Sequence, residues 1–219
     1  MNKLKITFIA AFAAILMVLP SSAEVRVGLA LGQTSVETDG TQTMKDSAKT
    51  SKSSQDETTA IPSLFVEIAN DSGLGLGLEV VPGSASIGSK NRADDDEEST
   101  NGNKASAEIN GLTSVYAMKT FGNGLFLKAG MTQTEVVTTE ALNTGSTYGN
   151  ETVTGGLIGI GITKTNDNGV FFRASAEYTD YDDISLTSKT DVGGTANSFN
   201  KISASVDTTA FKISIGKAF

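Results

Sequence analysis

The sequence predicts an all-β protein: an eight-stranded antiparallel up-and-down transmembrane β-barrel that follows a cleaved N-terminal signal peptide. Three observations predict it. Apolar residues past the N-terminal segment recur at every second position, and no stretch there keeps a helical period. The connections between candidate strands alternate between short and long along the chain. The chain ends in a strand-like run whose last residue is aromatic, Phe219.

The N-terminus reads Met1-Asn2-Lys3-Leu4-Lys5, then an apolar run from Ile6 to Leu19 broken only by Thr7, then Pro20-Ser21-Ser22-Ala23. Basic, apolar and small-residue regions in that order are those of a secretory signal peptide. The apolar run falls short of the roughly 20 residues a membrane-spanning helix needs. Cleavage is expected after Ala23, dividing the chain into a signal peptide over 1–23 and a barrel domain over 24–219. No later run reaches helical length, so membrane residence falls to strands. No cysteine is present, which removes a lipid anchor and a disulfide framework together.

Formal charge is −8, from 17 basic and 25 acidic residues, and loss of Lys3 and Lys5 takes it to −10. A chain so acidic, with no basic block, is not built for nucleic acid. Histidine, cysteine and tryptophan are all absent. The usual general base, the commonest metal ligands and the thiol nucleophile go with them, so neither an enzyme nor a cofactor is expected.

In order, the expected strands cover 24–35, 61–70, 73–84, 105–119, 124–138, 152–164, 169–183 and 203–219. Asn70-Asp71-Ser72-Gly73, Phe121-Gly122-Asn123-Gly124 and Asn166-Asp167-Asn168-Gly169 form tight polar turns between them. Long polar linkers are expected over 36–60, 85–104, 139–151 and 184–202, and the Thr, Ser and Lys content of Thr38–Thr59 has a disorder-like composition. Strict alternation puts every long loop at one end, the asymmetry of bacterial outer-membrane barrels.

In the first strand Val25, Val27, Leu29 and Leu31 alternate with Glu24, Arg26, Gly28, Ala30 and Gly32. In the third, Leu74, Leu76, Leu78 and Val80 alternate with Gly73, Gly75, Gly77 and Glu79. In the sixth, Ile158, Ile160 and Ile162 alternate with Leu157, Gly159, Gly161 and Thr163. Glycine suits a narrow lumen better than an exposed surface, so the bulky rows are expected to face lipid. The fourth strand is ambiguous: either Val115 and Ala117 or Tyr116 and Met118 face out. Alternation places Arg26, Glu67, Glu79, Lys128, Arg173, Glu177 and Lys212 opposite the apolar rows. On a lipid face each basic residue costs about 2–4 kcal/mol at the midplane; in a lumen the near-balanced signs pair. An interior charge network that plugs the barrel is expected. Tyr116, Phe126, Tyr178 and Tyr181 are candidates for interfacial girdles, with Phe126 alternatively filling the lumen.

The final strand sets Phe211, Ile213, Ile215 and Phe219 on one row, interrupted by Lys217, which can snorkel at an interface. A terminal aromatic on such a strand resembles the sorting signal that the barrel-assembly machinery reads. The segment from Gly155 through Ile158, Ile160 and Ile162 to Lys164, the turn, then Val170-Phe171-Phe172-Arg173-Ala174-Ser175-Ala176-Glu177-Tyr178 and on to Asp183 resembles the penultimate hairpin of the outer-membrane β-barrel family of OmpA, OmpX and opacity type. With the terminal strand, this resemblance covers about a third of the chain. It implies an envelope-integrity or surface-contact role, without the wall-tethering domain of longer members. It also implies location in the cell outer membrane and contact with outer-membrane lipid, with periplasmic chaperones and the assembly machinery as partners during export. The monomer is the expected state, and nucleic acid is not an expected partner.

Asp94-Asp95-Asp96-Glu97-Glu98 offers the oxygen ligands calcium takes. It lacks the interleaved spacing of a dedicated loop and reads first as a solvated charge run. The glycines fall at the strand period and do not complete a dinucleotide fingerprint. The expectation is a non-enzymatic outer-membrane barrel with a structural or adhesin-like surface role. A narrow gated channel and a soluble periplasmic barrel for a small hydrophobic ligand are the alternatives.

Overall fold

The computed structural model describes residues 23–43, 50–92, 103–141, 147–189 and 200–219. The expected signal peptide, Ala23 apart, and the acidic run Asp94–Glu98 lie outside the described residues.

The described residues form ten strand segments: β1 (Glu24–Thr43), β2 (Thr50–Ala69), β3 (Leu74–Val80), β4 (Ser84–Arg92), β5 (Asn103–Thr120), β6 (Leu125–Ala141), β7 (Glu151–Thr165), β8 (Val170–Tyr181), β9 (Ile184–Thr187) and β10 (Lys201–Ala218). They make eight staves, because β4 continues the line of β3 and β9 that of β8. Every ladder is antiparallel, and β1 pairs with β10 from Arg26↔Ala218 to Thr43↔Lys201, which closes the ring. Closure matters in lipid, where an open edge would leave backbone donors and acceptors without partners. The structure is the eight-stave up-and-down barrel that the alternation predicts.

The three short turns are one device used three times. Gly73, Gly124 and Gly169 have φ of 78°, 85° and 77°, a conformation that costs glycine nothing. Each sits against the neighbouring stave, where its carbonyl accepts from Thr120 N, Thr163 N and Ala218 N respectively, at 2.7–2.8 Å. An added Cβ would strike the backbone oxygen of the same neighbour. Asn70 and Asn166 complete their turns by accepting the amides of Leu74 and Val170 at 3.0 Å.

The long linkers differ from expectation. Residues 36–43 and 50–60 are strand, as are 84–92 and 184–187, so much of what reads as loop is ladder. The β-branched Thr residues of these stretches suit a pleated surface, and the β1–β2 register runs unbroken from Glu24↔Ala69 to Thr43↔Thr50. A membrane stave needs about 9–11 residues, whereas β1 and β2 have 20 each and β5 and β10 have 18 each. The staves therefore continue well past the bilayer into a head. Its inward residues Val36, Val136, Val153, Ile184, Leu186 and Val206 form a hydrophobic core with Tyr148 and Tyr181.

The β3–β4 break falls at Val81-Pro82-Gly83. Pro82 brings no N–H to a ladder, and Gly83 turns with φ 86°. Across from it, β5 bulges between Asn110 and Thr113, and Val81 N donates to Leu112 O at 2.9 Å.

Candidate functional site: a charged plug in the lumen

The outer wall is apolar where it meets lipid. Leu29, Leu31, Leu74, Leu127, Ile158, Ile160, Ile162, Phe172, Phe211, Ile213 and Ile215 are all exposed, Ile213 at 72%. An apolar band this wide on a soluble surface would drive association. Phe211, Ile213 and Ile215 share the outward row of β10, and Phe219, one residue past its end, is exposed as well. Lys217, on the same row, reaches the end of the barrel, where its Nζ donates to Asn168 O at 2.5 Å.

Facing in the ambiguous fourth strand is settled. Tyr116 and Met118 are buried in the lumen, and Val115 and Ala117 take the outer row. Tyr116 and Tyr181 are therefore not girdle residues, and of the four candidates only Tyr178 is exposed. Phe126 fills the lumen. The lumen accommodates these rings through glycine. Phe65 stands opposite Gly28, Tyr116 opposite Gly77, Phe126 opposite Gly161 and Phe171 opposite Gly216. In each pair a Cβ on the glycine would fall inside or against the ring, so glycine makes the floor on which each aromatic lies.

Those rings hold the lower layer of charge. Arg173 of β8 donates from Nη1 and Nη2 to the two carboxylate oxygens of Glu67 of β2, both at 2.6 Å. Glu67 is 1% exposed and Arg173 7%. Tyr116 Oη donates to the same carboxylate at 2.7 Å. The guanidinium carbon lies 4.5 Å from the ring of Phe171, 5.4 Å from Phe65 and 5.5 Å from Phe126. Paired charge, planar bidentate geometry and aromatic faces are the conditions under which a buried guanidinium is tolerated.

Above it lies a closed cycle of alternating sign. Lys128 of β6 donates to Glu79 of β3 at 2.9 Å and to Glu177 of β8 at 3.0 Å. Lys212 of β10 donates to Glu79 at 2.6 Å and to Glu177 at 2.9 Å. Each carboxylate thus receives two lysines and each lysine reaches two carboxylates. Ser63 Oγ adds a bond to Glu79 at 2.7 Å, and Lys128 Nζ stands 3.9 Å over the Tyr116 ring, linking the two layers. The four groups come from four staves, so the cycle braces the barrel across its width and sums to zero charge.

Of the seven charges placed inside by alternation, six sit in these two layers. Arg26 stands apart: it faces inward at the end of the barrel near the short turns and pairs with Glu24. Ser63 and the caging role of Phe65 and Phe171 escaped the sequence reading, which left Tyr116 undecided and gave Phe126 as an alternative filler of the lumen. Glycine directly across a hairpin from an aromatic is the signal that reveals the rings.

Over the plug is a cavity of about 60 Å³, floored by Glu79, Glu177 and Lys212 and walled by Thr34, Thr132 and Thr179 among other residues. At roughly 10–15 Å³ for each water it has room for a few, and Val36, Val136, Val153 and Val206 of the head core form its upper wall. Tyr148, outside the strands, accepts from Gln42 Nε2 at 3.3 Å, and burial pushes its phenol above the ordinary value.

No protein-family model matches the sequence, and no curated protein matches it. Solved structures do. Outer membrane protein AlkL in lipid bilayers aligns over 90% of this chain and 90% of its own, with a TM-score of 0.54 at 11% identity. OprG from Pseudomonas aeruginosa aligns over 88% of this chain and 95% of its own, with a TM-score of 0.51, also at 11% identity. The fold is that of the outer-membrane β-barrels. At such identity the likeness is one of fold alone.

Proposed function

We propose that this chain is a non-enzymatic barrel of a bacterial-type outer membrane, exported by its N-terminal signal peptide, that supports the envelope and makes surface contacts through its head. The observation that carries this reading is the cycle Lys128–Glu79–Lys212–Glu177 above the Arg173–Glu67 pair. Eight staves leave a lumen that side chains just fill, and here two layers of paired charge occupy it. An ion passing through would have to break buried pairs, each costly to separate. The absence of histidine and cysteine supports a role without catalysis. The outward row Phe211, Ile213 and Ile215, with Phe219 just past its end, supports recognition by the barrel-assembly machinery, with periplasmic chaperones before it and outer-membrane lipid after it. The closed ring supports a monomer.

Planar-bilayer recording of the purified protein tests the plug. The expected result is no steady conductance from the native chain. Steady conductance altered by Glu177→Gln would make the protein a narrow gated channel instead. Fractionation tests the location, with recovery in the outer-membrane fraction and heat-modifiable migration on a gel expected.

A further inference from the structure

Outward charge on the wall is sorted by end. Above the apolar band Asp180, Asp207, Glu37 and Asp56 face out, whereas at the end of the short turns Lys119, Lys164 and Lys217 do. Two of these lysines are neighbours. Lys164 of β7 pairs with Phe172 of β8, and Lys217 of β10 pairs with Val170, two residues earlier on the same strand. Strand spacings of about 4.8 Å and a rise of about 3.4 Å per residue put their Cα atoms about 12 Å apart. Two extended lysine side chains close that gap onto one anion.

From these lysines a groove climbs the wall. Phe172, Ile215, Leu29 and Leu64 form one continuous outward row across β8, β10, β1 and β2. Phe172 lies two residues inside the start of β8 and Leu64 five inside the end of β2, so the row rises away from the short turns as it crosses the staves. With Ile213 and Leu31 these side chains line a concavity of about 540 Å³ that reaches Pro82. All six are exposed. Three strand spacings carry the row about 14 Å along the wall, close to half of the roughly 30 Å hydrocarbon thickness and so to the depth of one leaflet.

We propose that this groove holds an anionic phospholipid of the periplasmic leaflet, with an acyl chain along the row from Phe172 to Leu64 and its phosphate between Lys164 and Lys217. The proposal rests on the outer-membrane reading and gives one place on the wall its lipid. Among the described residues, the outward faces of β7, β8, β10 and β1 at this end carry no aspartate or glutamate to compete for the lysines; Asp167 lies in the turn beneath them. Lys217 Nζ donates to Asn168 O at 2.5 Å, which uses one of the ammonium's donors and leaves others for a phosphate. Lysine stems lie along apolar wall while their heads reach the headgroup level, where anionic lipid attracts each of them.

The test uses the full chain in nanodiscs of phosphatidylcholine with phosphatidylglycerol as the minor lipid. In native mass spectrometry the released protein is expected to retain one phosphatidylglycerol in preference to phosphatidylcholine. Lys164→Gln with Lys217→Gln is expected to lower that preference about tenfold. Lys119→Gln, on β5 at the same rim but away from the groove, is expected to leave it unchanged. Phosphatidylglycerol spin-labelled on its acyl chain is expected to broaden the amide signals of Leu29 and Ile213 and to spare Leu127 and Met131, exposed on β6; that measurement needs no variant. Equal retention of the two lipids, an equal loss in Lys119→Gln, or broadening spread evenly around the wall would overturn the proposal. So would displacement of the lipid by dissolved glycerol phosphate, which would make the lysines a site for a free anion. Fractionation bears on the membrane location by itself, so failure of that reading is distinguishable from failure of this one.

Discussion

The membrane half of the barrel and the head above it are built from the same staves with opposite facing. In the lower part of β1, Val27, Leu29 and Leu31 point out while Gly28, Ala30 and Gly32 point in. Higher on the same strand, Gln33, Glu37 and Asp39 point out while Val36 points in. β10 does the same: Phe211, Ile213 and Ile215 lie outside below, and Val206, Ala204 and Ile202 lie inside above, with Asp207 and Ser205 outside. Along β1 and β10 the pleat never skips a residue, yet the apolar row changes sides. Lipid around the lower half requires grease outside and charge inside; water around the upper half requires the reverse, as in any β-sandwich. The difference teaches that in this chain facing is set by the surrounding solvent, and the strand itself is indifferent to it.

That comparison can be broken first in the plug. Glu67→Ala leaves Arg173 buried without its partner and is expected to cost about 3–5 kcal/mol, read as a lowered midpoint of urea unfolding in lipid vesicles. The paired replacement Glu67→Leu with Arg173→Met, which removes both charges together, is expected to recover most of that loss.

Next comes the outer wall. Ile160→Arg, on the lipid face, should cost about 2–4 kcal/mol if it lies near the midplane. Ser205→Arg, outward on the head, should stay within about 0.5 kcal/mol of the native value, as surface substitutions do. Equal costs for the two in the same unfolding assay would dissolve the distinction between halves.

Inside the head the sign of the preference reverses. Leu186→Ala is expected to cost about 2 kcal/mol by opening a cavity, and its first readout is faster proteolysis of the head while the gel shift of the barrel on heating is kept.

The smallest effect is a gain. Asp180, Asp207, Glu37 and Asp56 stand directly opposite one another on successive staves, and like charges so placed repel. Asp207→Asn is expected to stabilise by about 0.2–1 kcal/mol, with the increment shrinking as salt is raised.

The change of facing also explains what the sequence disclosed and what it withheld. The lower staves were legible because apolar and small residues alternate cleanly there and the three Asn-containing, glycine-ended turns punctuate them. The upper parts of β1 and β2 read as linker because the apolar row that identifies the strand stops at Leu31 and resumes on the other face at Val36. Alternation also assigned the inward charges, since a period of two leaves a charged side chain only two faces to choose from. It could not tell which charges meet: Arg26 lies opposite Glu67 in register, yet Glu67 bonds Arg173 across the lumen. Such partners are set by the diameter and stagger of the closed ring. Tyr116 was undecided because Val115 and Ala117 are as apolar as Tyr116 and Met118. The bulge opposite Pro82 has no sequence mark beyond Gly111.

The ladder between the first and last strands, β1 and β10, is among the longest in the molecule, and it joins the segments farthest apart along the chain. Bringing them together carries the largest loop-closure entropy of any pairing here, so this seam is expected to form late and to limit the rate of assembly. Once formed, it makes the barrel a latch. A stave cannot peel from a closed ring in lipid without exposing two edges at once, so loss of the fold is governed by the height of that barrier and the lifetime of the native state outruns its equilibrium stability.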